Sequence, residues 1–169
     1  MFIDIVLLLL LAICVVTDVR NRKIYNKVVY PGLLFAFIFH TIQAGWEGIS
    51  HSFLGFLLGF GLLLIPYLMG GMGAGDVKLL AMVGAFKGAA FVFYTFIYMA
   101  IIGAVIALAI ILFRRGFLKS LIYKFSSMKS GVKYSAGLSK QSLSATYPYG
   151  VAIAGGAMIS LFAEGVWFL

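Results

Sequence analysis

The sequence predicts an all-α, polytopic membrane protein of about six transmembrane helices, one of them short. Three observations carry that expectation. The 169-residue chain is 63% hydrophobic and 11% charged, against about 45–50% apolar and about 25% charged in an ordinary soluble domain. Its apolar residues come in long blocks. Its net charge of +8 lies in the loops between those blocks, so it reports topology before it reports a nucleic-acid partner. No basic residues interleave with aromatics as on a nucleic-acid-binding module, and nucleic acid is not expected as a partner. No polar stretch is long enough for a separate soluble domain, so residues 1–169 read as one membrane-embedded domain.

The first block, Phe2 to Thr17, falls slightly short of the ~20 residues a span needs, unless it runs on into the polar loop. It carries Asp4 rather than positive charge, and no A-x-A-like site precedes Asp18. A permanent first helix is expected rather than a cleaved signal. The second block, Val28 to Ala44, meets a short turn at Gly45-Trp46-Glu47-Gly48, where Trp46 is placed like an interfacial aromatic. The third, Phe53 to Met69, holds Pro66 near its end and the spacing Gly55-x-x-x-Gly59, then Gly61. That spacing lets another helix pack closely; glycines merely tolerated in a membrane helix are the plain alternative. Leu79 to Phe113 would be roughly 50 Å as one helix, too long for a core of about 30 Å. A break near Phe86-Lys87-Gly88 gives a short fourth helix, Asp76 to Phe86, and a full fifth, Ala89 to Phe113. The last block is Tyr149 to Leu169.

The basic residues orient these helices. Arg20, Arg22, Lys23 and Lys27 lie in the first loop, Lys78 follows the glycine turn, and Arg114, Arg115, Lys119, Lys124, Lys129, Lys133 and Lys140 lie in the long fifth loop. With six helices all three positions fall on one side, which the positive-inside rule makes cytoplasmic. Both termini, Glu47 and Glu164 then lie outside. Within the long loop, Phe117, Leu121, Phe125, Met128 and Val132 step at helical spacing with lysines on the other face. A basic amphipathic helix on anionic lipid is expected there, against the alternative of a solvated loop without fixed structure. Ser135 to Thr146 reads as flexible.

The chemistry gathers at two acids. Only five acids exist in the chain, and one at the edge of an apolar run is costly enough to need a reason. Asp76 follows the glycine cluster Gly70-Gly71-Met72-Gly73-Ala74-Gly75, and Asp18 ends the first apolar block in Asp18-Val19-Arg20-Asn21-Arg22-Lys23-Ile24-Tyr25-Asn26. The topology puts both on the cytoplasmic side. Two such carboxylates suggest an aspartic dyad, in which one acts as base on a water and the other, protonated, polarises the scissile carbonyl. They share a proton and titrate as a unit. The plainer readings are that Asp76 caps the helix it precedes and that Asp18 pairs with Arg20 or Arg22. No Ser/His/Asp set shares a face: His40 and His51, like Glu47 and Glu164, fall on the opposite side. The lone Cys14 builds neither a disulfide nor a Cys-based zinc site.

Gly73-Ala74-Gly75-Asp76-x-Lys78-Leu79 resembles the GxGD motif of membrane aspartic proteases in its prepilin-peptidase form. Asp18-x-Arg20-x-x-x-Ile24-x-Asn26 resembles the first-aspartate motif of that family, with Tyr25 where the family carries Pro, and Tyr147-Pro148-Tyr149-Gly150 resembles its proline-glycine segment opening the last helix. The three matches stand in family order and cover essentially the whole chain. Presenilin-type proteases share GxGD but carry a Pro-Ala-Leu motif absent here. The resemblance implies a type IV prepilin peptidase or the similar preflagellin peptidase, which cuts a short basic leader from pilin-like precursors at the cytoplasmic membrane face. It implies Asp18 and Asp76 as the catalytic pair, prepilin-like proteins and membrane lipids as partners, and no set oligomeric state. The cysteine-rich segment of the larger, methylating members is missing, so neither methyl transfer nor bound zinc, nor any other cofactor, is expected. Gly73 and Gly75 are expected to let backbone approach the substrate strand. Arg20, Asn26, Lys78, Pro148 and Gly150 are candidate supporting residues, with snorkelling as the simpler role for Lys78.

Two rival functions remain on the sequence alone. A small transporter or channel also uses intramembrane acids and glycine-broken helices, but predicts mid-membrane acids and an internal repeat, and the sequence has neither. A non-catalytic subunit of a pilus or secretion assembly predicts that mutating either aspartate is harmless. Within a dyad, helix dipoles predict that Asp76, starting a helix, is mainly ionised and that Asp18, closing one, is mainly protonated.

Overall fold

A computed structural model describes residues 2–113 and 149–167. Within them are α1 (Phe2–Asn21), α2 (Asn26–Leu68), α3 (Ala74–Lys87), α4 (Ala89–Phe113) and α5 (Tyr149–Trp167). Residues 2–102 and 149–167 belong to one compact unit, and the end of α4 from residue 103 belongs to a second. The Phe117–Val132 stripe, the serine-rich stretch after it and Pro148 lie outside the described residues.

In α1, Leu7, Leu11, Cys14 and Asp18 are buried. Their spacing of four, three and four is one face of a helix, so the face that packs inward is the face that carries Asp18. The helix does not stop at Thr17. It continues to Asn21, and Arg22 N donates to Asp18 O at 2.8 Å before Arg22, with φ of 51°, turns the chain in the left-handed region.

α2 joins the second and third expected helices. Its 43 residues would run ~65 Å if straight, but Gly45 breaks the helix with φ 56° and ψ −127°. This conformation is open to glycine and strained for other residues. The chain folds back there. The Phe37 and Phe56 rings lie 6.1 Å apart and those of His40 and His51 5.6 Å apart; a straight helix would put the two histidines ~16 Å from each other. The expected turn is therefore a one-residue break between two arms, and residues 46–52 are helical rather than loop.

α3 lies at the centre. Asp76, Val77 and every residue from Leu79 to Phe86 are buried, as expected of a helix that is hydrophobic on all sides. The second arm of α2 reaches it through Ser52, Gly55, Gly59 and Leu63, all buried. A methyl group at Gly55 would overlap the Gly84 carbonyl, and one at Gly84 would overlap the Gly55 carbonyl. The two backbones thus touch without side chains between them, which is the close packing the Gly55-x-x-x-Gly59 spacing predicts. Nothing lies within 4 Å of a methyl placed on Gly61, so that glycine has no part in the contact. Ser52 Oγ donates to Ala85 O at 2.6 Å and His40 Nε2 lies 2.9 Å from Phe86 O, which satisfies carbonyls that a helix C-terminus leaves free. α4 and α5 meet through a buried 3.2 Å hydrogen bond from Thr95 to Ser160.

Three of these helices, over Phe2–Asn21, Asn26–Leu68 and Ala89–Ile106, are long and apolar enough to cross a membrane. The apolar part of α5, Tyr149–Glu164, is shorter, and the 14 residues of α3 reach only ~21 Å. Against the expectation of about six spans, the described residues form five helices of which three have spanning length, because the second and third blocks form one broken helix and the fourth and last are short.

Candidate functional site: two carboxylates on helix N-termini

Both aspartates are inward-facing and nearly out of solvent, at 6% exposure for Asp18 and 8% for Asp76. They sit at the same end of the unit. Asp18 lies in the last turn of α1. Its Oδ2 accepts the Gly150 N–H at 2.9 Å, a donor in the first turn of α5 that no helical carbonyl can take. Asp76 is the third residue of α3. Its N–H donates to Gly73 O at 3.1 Å, and its Oδ2 accepts the Gly73 N–H at 3.2 Å. Each carboxylate therefore rests on the positive end of a helix, Asp18 on α5 and Asp76 on its own. Burial and then the neighbouring Asp18 carboxylate push the Asp76 carboxyl up to about 6, against the opposing pull of two backbone N–H groups. The Asp18 charge thus reaches Asp76, as expected of two carboxyls buried at the same end.

The surrounding residues explain how the two come together. Gly150 has no room for a side chain: a methyl there would stand 2.7 Å from Asp18 Oδ2 and 3.2 Å from its Cβ and Cγ. At Gly75 the space beside the backbone is taken by Ile24, whose Cβ would lie 3.0 Å from an added methyl. At Gly73 a methyl would stand 3.2 Å from Asp76 Oδ2. Lys78 Nζ donates to Asn26 Oδ1 at 3.1 Å and lies 5.3 Å from the Tyr30 ring centroid. The stretch after the first aspartate thus meets the stretch around the second at two points, Ile24 on Gly75 and Asn26 on Lys78. In place of the expected proline, Tyr25 Oη accepts from Asn21 Nδ2 at 3.2 Å.

Arg20 and Arg22 are exposed, and the partner the structure gives to Asp18 is Gly150, not an arginine. α1 continues past Asp18 to Asn21, so Asp18 lies within its last turn rather than at its end, and the Gly150 N–H at the start of α5 opposes the α1 dipole there. Capping and proximity to Asp18 are also not exclusive: Asp76 caps α3 and is raised by the Asp18 charge at once. His40 and His51 lie with the far end of α3. Among the described residues no three His, Cys, Asp or Glu side chains converge on one point.

The contacts of Gly150 with Asp18 and of Ile24 with Gly75 do not follow from sequence reasoning. The signal for these positions is their place in the segments that carry the family resemblance, Gly150 in the proline-glycine segment and Ile24 in the first-aspartate segment.

Apolar helices around a central short one, with two carboxyls buried at one end, mark a helical membrane protein. The match to known families narrows this further. This chain belongs to the type IV leader peptidase family, whose family model matches residues 5–108 and so takes in both aspartates. No curated protein and no solved structure matches the chain.

Proposed function

We propose that this protein is an aspartic endopeptidase that removes the basic leader of type IV pilin-like precursors at the cytoplasmic face of the inner membrane. The observation that carries the reading is the burial of Asp18 and Asp76 at one end of the unit, each held by a backbone N–H at a helix N-terminus. Membership of the leader peptidase family supplies the substrate class. Counted with the two arms of α2 taken separately, the helices among the described residues number six, and the end holding the pair is also the end of Arg20, Arg22, Lys23, Lys27 and Lys78. The positive-inside rule makes that end cytoplasmic.

In this reading the pair itself supplies base and acid. Asp76, with its raised pKa, holds the shared proton and polarises the scissile carbonyl. Asp18, its Oδ2 already bonded to Gly150, takes a proton from the attacking water. The tetrahedral intermediate collapses with transfer of a proton to the leaving amine. This reverses the roles that helix dipoles alone suggest.

The test is leader removal from a purified pilin-like precursor in detergent or liposomes. Asp18→Asn and Asp76→Asn should each abolish cleavage while the protein stays folded, since Asn matches Asp in size but cannot exchange the proton. Substantial cleavage by either variant rules out the aspartic mechanism.

A further inference from the structure

At the end of the unit opposite the carboxylates stands a second charged cluster. Lys87, the last residue of α3, places Nζ 3.0 Å from Asp4 Oδ1 in α1 and 2.8 Å from Glu164 Oε2 in α5. Nζ also lies 5.2 Å from the centroid of the Phe91 ring in α4, within cation–π range. The Lys87 side chain is 18% exposed. Burial works against its charge, but Glu164 and Asp4 outweigh it and hold the lysine above its ordinary pKa.

The helices joined here are the ones that build the site. α1 carries Asp4 at one end and Asp18 at the other, ~21 Å away; α3 carries Lys87 and Asp76, ~16 Å apart; α5 carries Glu164 and Gly150, ~21 Å apart. Ser52, His40 and Asn26 bond α3 to α2, whereas Lys87 bonds it to α1 and α5. The α2–α3 contact, backbone on backbone at Gly55 and Gly84, ties α3 to α2, and the Lys87 ion pairs tie it to α1 and α5. A rigid helix pinned at one end fixes the height of its other end. We propose that Lys87 is a positioning residue for the carboxylate pair: by holding Asp4 and Glu164 at once, it sets the register of α3 against α1 and α5, and so the placement of Asp76 beside Asp18.

The inference rests on the peptidase reading for its kinetic consequence, but not for its geometric one. The experiment compares Lys87→Met, Lys87→Arg and the triple variant Asp4→Asn/Lys87→Met/Glu164→Gln in the full-length protein. The readouts are kcat and KM for leader removal, thermal unfolding, and titration of Asp76 by infrared difference spectroscopy, with Asp76→Asn identifying the band. A displacement of about 1 Å costs up to about 100-fold in rate, so Lys87→Met should lower kcat between about tenfold and about 100-fold with KM within about twofold. It should also move the Asp76 midpoint from about 6 toward the ordinary carboxylate range, as Asp18 is no longer held beside it. Lys87→Arg should restore both. The triple variant removes Lys87 together with both of its carboxylate partners, so it should regain the unfolding temperature without regaining kcat. Recovery of wild-type kcat by the triple variant, or wild-type kcat and Asp76 midpoint in Lys87→Met, overturns the proposal. If the wild type cleaves no precursor, the peptidase reading falls, and the Asp76 midpoint still decides the positioning role.

Discussion

Replacing Gly150 with alanine separates the fold from the chemistry more cleanly than replacing either aspartate. Alanine is the better helix former by about 1 kcal/mol in a helix interior, so the change should leave α5 helical. Its methyl, however, would stand 2.7 Å from Asp18 Oδ2 and 3.2 Å from Cβ and Cγ of the same side chain. Ordinary van der Waals contact begins near 3.4 Å, so the carboxylate must retreat by roughly 0.5–1 Å. Asp18 is only 6% exposed, and the retreat stretches or breaks the 2.9 Å bond from the Gly150 N–H. A hydrogen bond to a charged group contributes about 1.5–3 kcal/mol. If that contribution is lost in the transition state, kcat falls between about tenfold and about 150-fold.

The assay is steady-state removal of a leader from a pilin-like precursor, with thermal unfolding measured on the same preparations. Gly61→Ala is the control, because a methyl at Gly61 meets nothing within 4 Å. The expected result is an unfolding temperature equal to or above wild type for both variants, with kcat reduced only in Gly150→Ala. A Gly150→Ala protein with full kcat refutes the idea that α5 holds Asp18 in place. Unfolding of Gly150→Ala refutes it as well, since the contact is then structural.

The Asp76 carboxyl, raised from 3.8 to about 6, is favoured by the fold in its neutral form. Its stabilising contribution, up to roughly 3 kcal/mol, is complete below pH 3.8 and lost as pH rises through about 6, so wild type should lose thermal stability over that window while Asp76→Asn shows no such loss. Gly84→Val sets a side chain against the Gly55 carbonyl and should destabilise by about 3 kcal/mol, the upper end of overpacking costs, since backbone cannot rotate away; calorimetry showing an unchanged unfolding temperature would mean that α2 and α3 pack otherwise. Gly75→Ala crowds Ile24 and should lower kcat, with the companion change Ile24→Val restoring part of it; equal activity of all three proteins would remove Ile24 as the link between the two aspartate segments.

Much of the architecture follows from what the sequence shows locally. The break at Phe86-Lys87-Gly88 was legible because one helix across it would overrun the bilayer, and the helix after it runs over Ala89–Phe113 as expected. The contact of Gly55 and Gly59 with α3 was legible from their spacing. The inward orientation of Asp18 follows from phase with Leu7, Leu11 and Cys14, once the helix is known to run through it. What was not legible depends on long-range meeting. A single glycine with positive φ can end a helix or fold it back within one residue, and the sequence around Gly45 looks the same in either case. Lys87 reads as a lone cation in an apolar stretch; its two carboxylate partners, Asp4 and Glu164, are far from it in the chain. The same distance hides Gly150 from Asp18.

That last separation bears on how the two acids differ. Read from the sequence, each aspartate belongs to one helix, and the helix macrodipoles assign the proton to Asp18. In the folded protein Asp18 belongs to two helices. It lies in the last turn of α1, where the dipole opposes a negative charge, and against the first turn of α5, where the dipole and a short N–H bond favour one. A hydrogen bond made at 2.9 Å acts more strongly than a dipole whose effect is spread over the last turn. Asp76 has its own helix N-terminus, but through a longer bond of 3.2 Å from Gly73, and it is buried beside another acid. The two sites are therefore alike in kind and unequal in degree. Such inequality separates an acid from a base in a pair that would otherwise share its proton evenly. It comes from α5, an element whose first turn stands far along the chain from either aspartate, so the difference between the two carboxyls is a property of the bundle and not of either aspartate segment alone.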